Sequence, residues 1–277
     1  MGSNDSLGDR MKRYESVSRN FLTRRVPAVI RLDGKAFHTF TKGMRKPFDR
    51  ILMNTMQLTM RELCKNIQGC VFGYTQSDEI TLVLTDYATI QTDAWFGYNV
   101  QKMTSVAASM ATLYFNQFFT RELFGQIDDY PDEERGASEE WDYLMMLAKE
   151  KTYKALFDAR AFSVPKDDVC NCLIWRQQDA TRNSIEAVGQ ANFSHRELHG
   201  KNCNDIQEML WSQRNLNWND FPVDCKRGSC CIRVKKELPM TDPKDPEKTI
   251  LVTRNEWAID REPPIFTQDR GYVEGWL

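Results

Sequence analysis

The sequence predicts an α+β fold, an antiparallel sheet with helices on one face. Three observations carry this expectation. A short apolar run, Pro27-Ala-Val-Ile-Arg-Leu-Asp33, stops at Gly34 as a buried strand does. Two β-rich runs, Cys70-Val-Phe-Gly-Tyr-Thr75 and Ile80-Thr-Leu-Val-Leu-Thr85, flank Gln76-Ser77-Asp78-Glu79 and read as a hairpin with an acidic tip. Between and after these runs, apolar residues recur at helical spacing.

The elements follow in order. Phe48, Ile51, Leu52, Thr55, Thr59, Leu63 and Ile67 mark one face of an amphipathic helix after the first strand. A second long helix is expected from about Trp95 to Phe119, with Val100, Met103, Val106, Ala107 and Met110 on its apolar stripe. Residues 128 to 142 are acidic and carry Pro131 and Gly136, which reads as a loop or an insertion. Phe157-Asp-Ala-Arg-Ala-Phe-Ser163 reads as a strand stopped by Pro165, and a helix from about Asp167 to Val188 is closed by Gly189. Asn204 is placed to cap the next helix, through Leu210. Ser229 to Leu238 and Thr249 to Ile259 form a hairpin around Asp242-Pro-Lys-Asp-Pro246, and the tail after Pro263-Pro264 is extended and docked by Ile265, Phe266, Tyr272 and Trp276.

Composition bounds the function. The 277 residues are 41% hydrophobic and 27% charged, an ordinary globular mixture. Residues 1 to 11 are set aside as a disordered or cloning-derived terminus, with Met11 as a natural start, and 12 to 277 are treated as one catalytic domain. No apolar run approaches the ~20 residues a membrane span needs. The eight cysteines lack the paired spacing of a zinc knuckle and read as reduced thiols of a cytoplasmic protein. In His195-Arg-Glu-Leu-His199 the glutamate stands one place late for a zincin. A net charge of −2 argues against sheathing long stretches of nucleic acid, although Lys42 to Arg50 and Lys226-Arg227 are locally basic.

In an antiparallel sheet, the end of the first strand and the tip of the neighbouring hairpin lie side by side. Asp33 and Asp78 are therefore expected to converge. Magnesium takes hard oxygen ligands, commonly one or two carboxylates with phosphates and water. Two such ions about 4 Å apart can activate a hydroxyl and neutralise a leaving phosphate. Gly34 would let its carbonyl approach an ion closely. Glu79 is expected to point away and act from behind.

Asp33-Gly-Lys-Ala-Phe-His-Thr-Phe40, Lys46-Pro-Phe-Asp49 and Tyr74-Thr-Gln-Ser-Asp-Glu79 together resemble the histidine tRNA guanylyltransferase family, most closely its bacterial and archaeal guanylyltransferase-like branch of 3′–5′ polymerases. The resemblance continues through Lys102, Phe157-Asp-Ala-Arg160, Trp175-Arg-Gln-Gln-Asp179, Asn183 and Arg227-Gly-Ser229. It implies a polymerase-palm-like, ferredoxin-like core that adds nucleotides to the 5′ end of tRNA. Asp33, Gly34 and Asp78 would hold two Mg2+ ions, with Glu79, Lys46 and Ser77 as further catalytic groups. Gly34, Lys35, Ala36, Phe37, His38, Asp49 and Lys102 would bind the nucleotide, with ATP and GTP among the triphosphates used. Arg31, Arg160, Arg176, Asn183 and Arg227 would contact phosphate or RNA. The steps implied are adenylylation of a 5′-monophosphate by ATP, attack by the 3′-hydroxyl of the incoming nucleotide, and pyrophosphate release; the assembly implied is a homotetramer. One departure stands out: eukaryotic members carry His-Ile-Asn-Asn where this chain reads Thr181-Arg-Asn-Ser184. The departure favours templated repair of 5′-truncated tRNAs over strict histidine tRNA guanylylation. Two alternatives remain: a palm-fold nucleotide cyclase, although no Gly-Gly-Asp-Glu-Phe signature is present, and a catalytically idle RNA-binding protein, against which stands the presence of both Asp33 and Asp78.

Overall fold

The computed structural model describes residues 6–136, 138–242 and 245–277. In chain order the elements are α1 (Leu7–Ser16), β1 (Ala28–Gly34), α2 (Phe37–Phe40), α3 (Arg50–Asn66), β2 (Cys70–Gln76), β3 (Glu79–Leu84), α4 (Val100–Asp128) and α5 (Glu139–Glu150). There follow β4 (Phe157–Ser163), α6 (Lys166–Asn192), α7 (His195–Leu198), α8 (Cys203–Arg214), α9 (Val223–Arg227), β5 (Ser229–Asp242), β6 (Asp245–Asp260) and α10 (Gly271–Glu274). The sheet order is β4-β1-β3-β2-β5-β6, and every pairing is antiparallel. The unit β1-α3-β2-β3-α4-β4 thus has the strand order of a split βαβ, ferredoxin-like core.

Alternation along β1 assigns its two faces. Ala28, Ile30 and Leu32 join the main core with Ile80, Leu82 and Leu84, beneath Met56, Met60 and Leu63 of α3 and Met103, Ala107 and Phe115 of α4. Val29, Arg31 and Asp33 face the other way. There Phe72, Tyr74 and Val83 pack with Val169, Cys170 and Leu173 of α6 and with Phe266 and Val273 from the end of the chain. The expected single helical layer is therefore corrected: α3 and α4 cover one face, and α6 with α10 covers part of the other. The α6 stripe is weak as a sequence signal because the helix also packs sideways on α8.

Other boundaries move for local reasons. Helix α1, capped by the Ser6 side chain, occupies part of the segment set aside at the terminus; residues 1 to 5 lie outside the described residues. The acidic stretch 128 to 142 is not all loop, because Ser138 caps α5, which buries Leu144 and Leu147. Gly189 does not stop α6. A Cβ there would stand 2.8 Å from Ile206, so the glycine marks a close approach of two helices. Asn202, not Asn204, caps α8, with Asp205 completing a capping box. The turn expected at Asp242–Pro246 contains residues 243 and 244, outside the described residues. All eight cysteines are free and six are buried. Burial pushes the Cys64 and Cys230 thiols well up, as inert core thiols require.

Gly228 joins α9 to β5 at φ +79°, and a Cβ there would meet the Thr75 carbonyl at 2.4 Å. Gly228→Ala is expected to destabilise by about 2 kcal/mol or more, because both the left-handed φ and the contact with a rigid strand oppose it. A chemical denaturation midpoint equal to the parent's would overturn this.

Candidate functional site

Asp33 and Gly34 end β1, and Ser77 and Asp78 are the two residues between β2 and β3. The register opposes Asp33 to Glu79 on one side and to Asp158 on the other. The Gly34 N–H donates to the Asp78 carbonyl at 3.1 Å, so the two segments are tied backbone to backbone. Thr75 tightens the hairpin, its hydroxyl donating to the Glu79 carbonyl at 2.8 Å. Ser77 sits at φ +49°, a conformation that costs a non-glycine residue about 1 kcal/mol, and its hydroxyl donates to the Asp78 carboxylate at 3.0 Å.

A cleft of about 420 Å³ opens beside this junction. Asp33, Gly34, Ala36, Phe37, His38 and Asp78 line it, with Thr41, Leu52 and Ser77. Its floor is aromatic, since Phe37 packs among Phe40, Phe115 and Phe157 with ring centres 4.9–5.4 Å away. A Cβ at Gly34 would lie 2.3 Å from the Phe37 ring, so this position requires glycine. Ala36 turns through φ +55° to start α2, whose first-turn amides at Phe37 and His38 have no intrahelical partners. A second cleft of about 150 Å³ shares Leu52 and Ser77 with the first and runs on to Phe48, Asp49, Asn183 and Ser184.

Electrostatics single out the two carboxylates. Burial lifts the Asp33 carboxyl above its ordinary value, Glu79 and Asp158 adding to it and Arg160 and Arg31 opposing. Burial also lifts Asp78, against the Ser77 hydrogen bond and with a contribution from Asp33. Both carboxylates are partly desolvated, and acidic neighbours raise each of them, so the site favours a bound cation. Among the described residues no three His, Cys, Asp or Glu groups cluster as a closed metal cage. An open pair of hard oxygen donors beside a polar cleft suits Mg2+ held jointly with phosphate.

The match to known proteins decides the family. Residues 8–165, more than half of the chain, match the family described as Thg1, tRNAHis guanylyltransferase. The chain belongs to this family. It is therefore a nucleotidyltransferase. A solved bacterial tRNA(His) guanylyltransferase (Thg1)-like protein in complex with ATP is 41% identical, with a TM-score of 0.77 over 98% of both chains. A structure of a bacterial protein so described in complex with GTP is 39% identical, with a TM-score of 0.74 over 98% of this chain and 99% of that one. A probable tRNA(His) guanylyltransferase of Dictyostelium discoideum is 25% identical over 245 residues, 81% of this chain and 84% of that protein.

Within this guanylyltransferase-family chain the expected site residues separate into groups. Asp33, Gly34, Ala36, Phe37, His38, Ser77 and Asp78 meet at one cleft, and Lys35 flanks it, its N–H donating to the Leu156 carbonyl at 2.8 Å. Lys46 is exposed just ahead of Pro47 and Asp49, which line the second cleft. Asp49 itself is 5% exposed and occupied: it caps α3 through the Leu52 N–H and accepts from the Tyr143 hydroxyl. Lys102 is not brought to the cleft. It lies about 15 Å along α4 from Thr112, whose hydroxyl meets the start of β4 at the end of the sheet that carries the cleft.

The arginines diverge as well. Arg31 and Arg160 are opposite each other on β1 and β4. Arg176 is buried, and its guanidinium donates to Glu79 at 2.8 Å while lying 3.5 Å from the Trp175 ring centre. It is an internal ion-pair partner, which corrects the expectation of an RNA contact; it also explains where Glu79 points. Arg227 donates to the Pro263 carbonyl at 3.1 Å and so pins the tail. Sequence reading missed Tyr143, on an element whose approach no local pattern reports, and placed Leu52 on its helix face without its part in the two clefts.

Proposed function

We propose that this chain is a template-dependent 3′–5′ nucleotidyltransferase that restores the 5′ ends of truncated tRNAs after ATP-dependent activation. The observation that carries the proposal is the junction of Asp33, Gly34 and Asp78 beside a cleft floored by Phe37. Asp33, Asp78 and the Gly34 carbonyl would hold two Mg2+ ions, which when bound supply Lewis acidity and neutralise phosphate charge. The first-turn amides of Phe37 and His38, at the cleft, would suit the oxygens of a triphosphate, and Leu52 with Phe48 supplies an apolar wall for a base. Lys46, exposed beside the second cleft, would draw in the 5′-phosphate. The 5′-monophosphate displaces pyrophosphate from ATP, then the 3′-hydroxyl of the incoming nucleotide attacks the activated phosphate and AMP leaves. Catalysis of this kind rests on positioning and charge, so a histidine base is not required.

Repair is favoured over strict histidine tRNA guanylylation by Thr181-Arg-Asn-Ser184, whose Asn183 lines the second cleft while Ser184 is occupied by Trp218. Greater identity to the bacterial guanylyltransferase-like proteins than to the Dictyostelium enzyme supports the same reading. The reading includes a homotetramer whose tRNA cradle spans subunits, with Lys102 belonging to that cradle rather than to its own chain's cleft. The test is an addition assay with Mg2+, ATP, four nucleoside triphosphates and 5′-monophosphorylated tRNA lacking its first nucleotide, on histidine and non-histidine tRNA. Templated addition to both is expected. Guanosine added to histidine tRNA alone would establish the strict reading, and a cyclic product from nucleotide alone would establish a cyclase.

A further inference from the structure

Beside the cleft, on the face of the sheet shared with α6, the side chains change character in steps. At the strand ends stand Asp33 and Asp158; one step back stand Arg31 and Arg160; behind them are Val29 and Phe162. Like charges directly opposite on neighbouring strands oppose sheet formation. Among the described residues neither arginine closes an ion pair within 4 Å, although both act through space on Asp33. Above this row lies Trp175 of α6, still 51% exposed. Its ring is held in place: the Arg176 guanidinium lies 3.5 Å from the ring centre, and that of Arg31 lies 5.7 Å away. Arg176 is itself fixed by Glu79. The result is a held, half-open aromatic plate beside two cations that close no ion pair within 4 Å.

We propose that Trp175 is a stacking platform for a base at the 5′ end of the RNA substrate, with Arg31 and Arg160 contacting the adjoining phosphates. The proposal rests on the RNA-directed reading above and adds a subsite to it. An exposed plate flanked by cations is how proteins hold single strands without reading sequence. A strand is favoured over a free nucleotide because Trp175 lines neither cleft; its open face would leave a single nucleotide half in water. The carboxylates at the strand ends would fix polarity, keeping the RNA phosphates one step back from Asp33.

The experiment measures binding of truncated, 3′-fluorescein-labelled tRNA by anisotropy to the parent and to Trp175→Ala, Trp175→Leu, Trp175→Phe and Arg160→Ala, beside GTP binding to each. Trp175→Ala and Trp175→Leu are expected to weaken RNA binding roughly tenfold, Trp175→Phe by less than about threefold, and GTP binding is expected to stay unchanged. Arg160→Ala is expected to lower the salt slope by about one. Equal RNA binding by Trp175→Ala and the parent, or equal losses in Trp175→Leu and Trp175→Phe, would overturn the platform. So would loss of GTP affinity in Trp175→Ala with RNA binding retained. If the parent binds RNA through Trp175 yet adds no nucleotide, the repair reading fails and the platform stands.

Discussion

Asp33→Asn and Asp78→Asn are each expected to lower templated nucleotide addition by about 10³-fold and yet to raise the melting temperature of the Mg2+-free protein. The two effects have one cause. Both carboxyls are lifted above the ordinary value of 3.8 by burial and by neighbouring carboxylates. An acid whose folded-state pKa is raised stabilises the fold when protonated. That contribution is complete below the ordinary value and is lost as the pH rises through the raised one. At neutral pH the ionised pair therefore opposes folding, and asparagine removes one charge at nearly constant shape. The gain should be about 2–4 °C at pH 7 and should vanish as the solution is acidified toward the ordinary carboxylate value. Added Mg2+ should stabilise the parent and leave either variant nearly unmoved. Thermal unfolding across pH, with and without Mg2+, checks this; a destabilised Asp78→Asn at pH 7 without metal would contradict it.

Arg176→Ala should produce the largest loss of stability of any single change outside the apolar core, about 3–5 kcal/mol. The Arg176 side chain is 6% exposed and that of Glu79 18%, so removing the cation leaves a mostly buried carboxylate without its partner. Gln76 still donates to Glu79 at 3.1 Å, but an amide does not replace a guanidinium. Arg176→Lys should recover little, because an ammonium cannot both reach Glu79 and lie flat on Trp175. Combining Arg176→Met with Glu79→Gln should restore more than half of the loss, since Glu79 is then neutral and Asp179, 3.5 Å from Arg176 in the parent, keeps Arg182 as its partner. Urea denaturation of the parent, these variants and the single Arg176→Met and Glu79→Gln variants forms the test. Additive effects in the double variant would show that the pair is not coupled.

The end of the sheet that carries Asp33 and Asp78 was legible because it depends on strand alternation and a two-residue hairpin. The period of β1 settles which residues face α3 and α4, and the hairpin register settles that Asp78 returns beside Gly34. What stayed hidden depends on non-local packing. Gly189 carries the local mark of a helix end, and only the approach of Ile206 reveals a helix crossing. The second helical layer escaped because α6 shares its apolar residues between the sheet and α8. Among the site residues, Asp49 resembles a base-binding acid in its motif, but Tyr143 from α5 occupies it. Arg176 reads as a free cation until Glu79 is placed across from it.

The β5–β6 ribbon divides the molecule into regions of unequal persistence. Only Ser229, Cys230 and Cys231 pair with β2, whereas the ladder between β5 and β6 extends far beyond them. Past Arg233 the ribbon has one neighbour per strand, and from Val234 to Met240 its side chains are half-buried or exposed. A two-stranded ribbon holds little free energy of its own, so its outer half opens locally and often, without the sheet. Asp33 and Asp78 hang from β1 and β3, which have a strand on either side and open only when the whole sheet does. Asp33 and Asp78 are thus expected to keep their spacing through local openings confined to the far end of the same sheet.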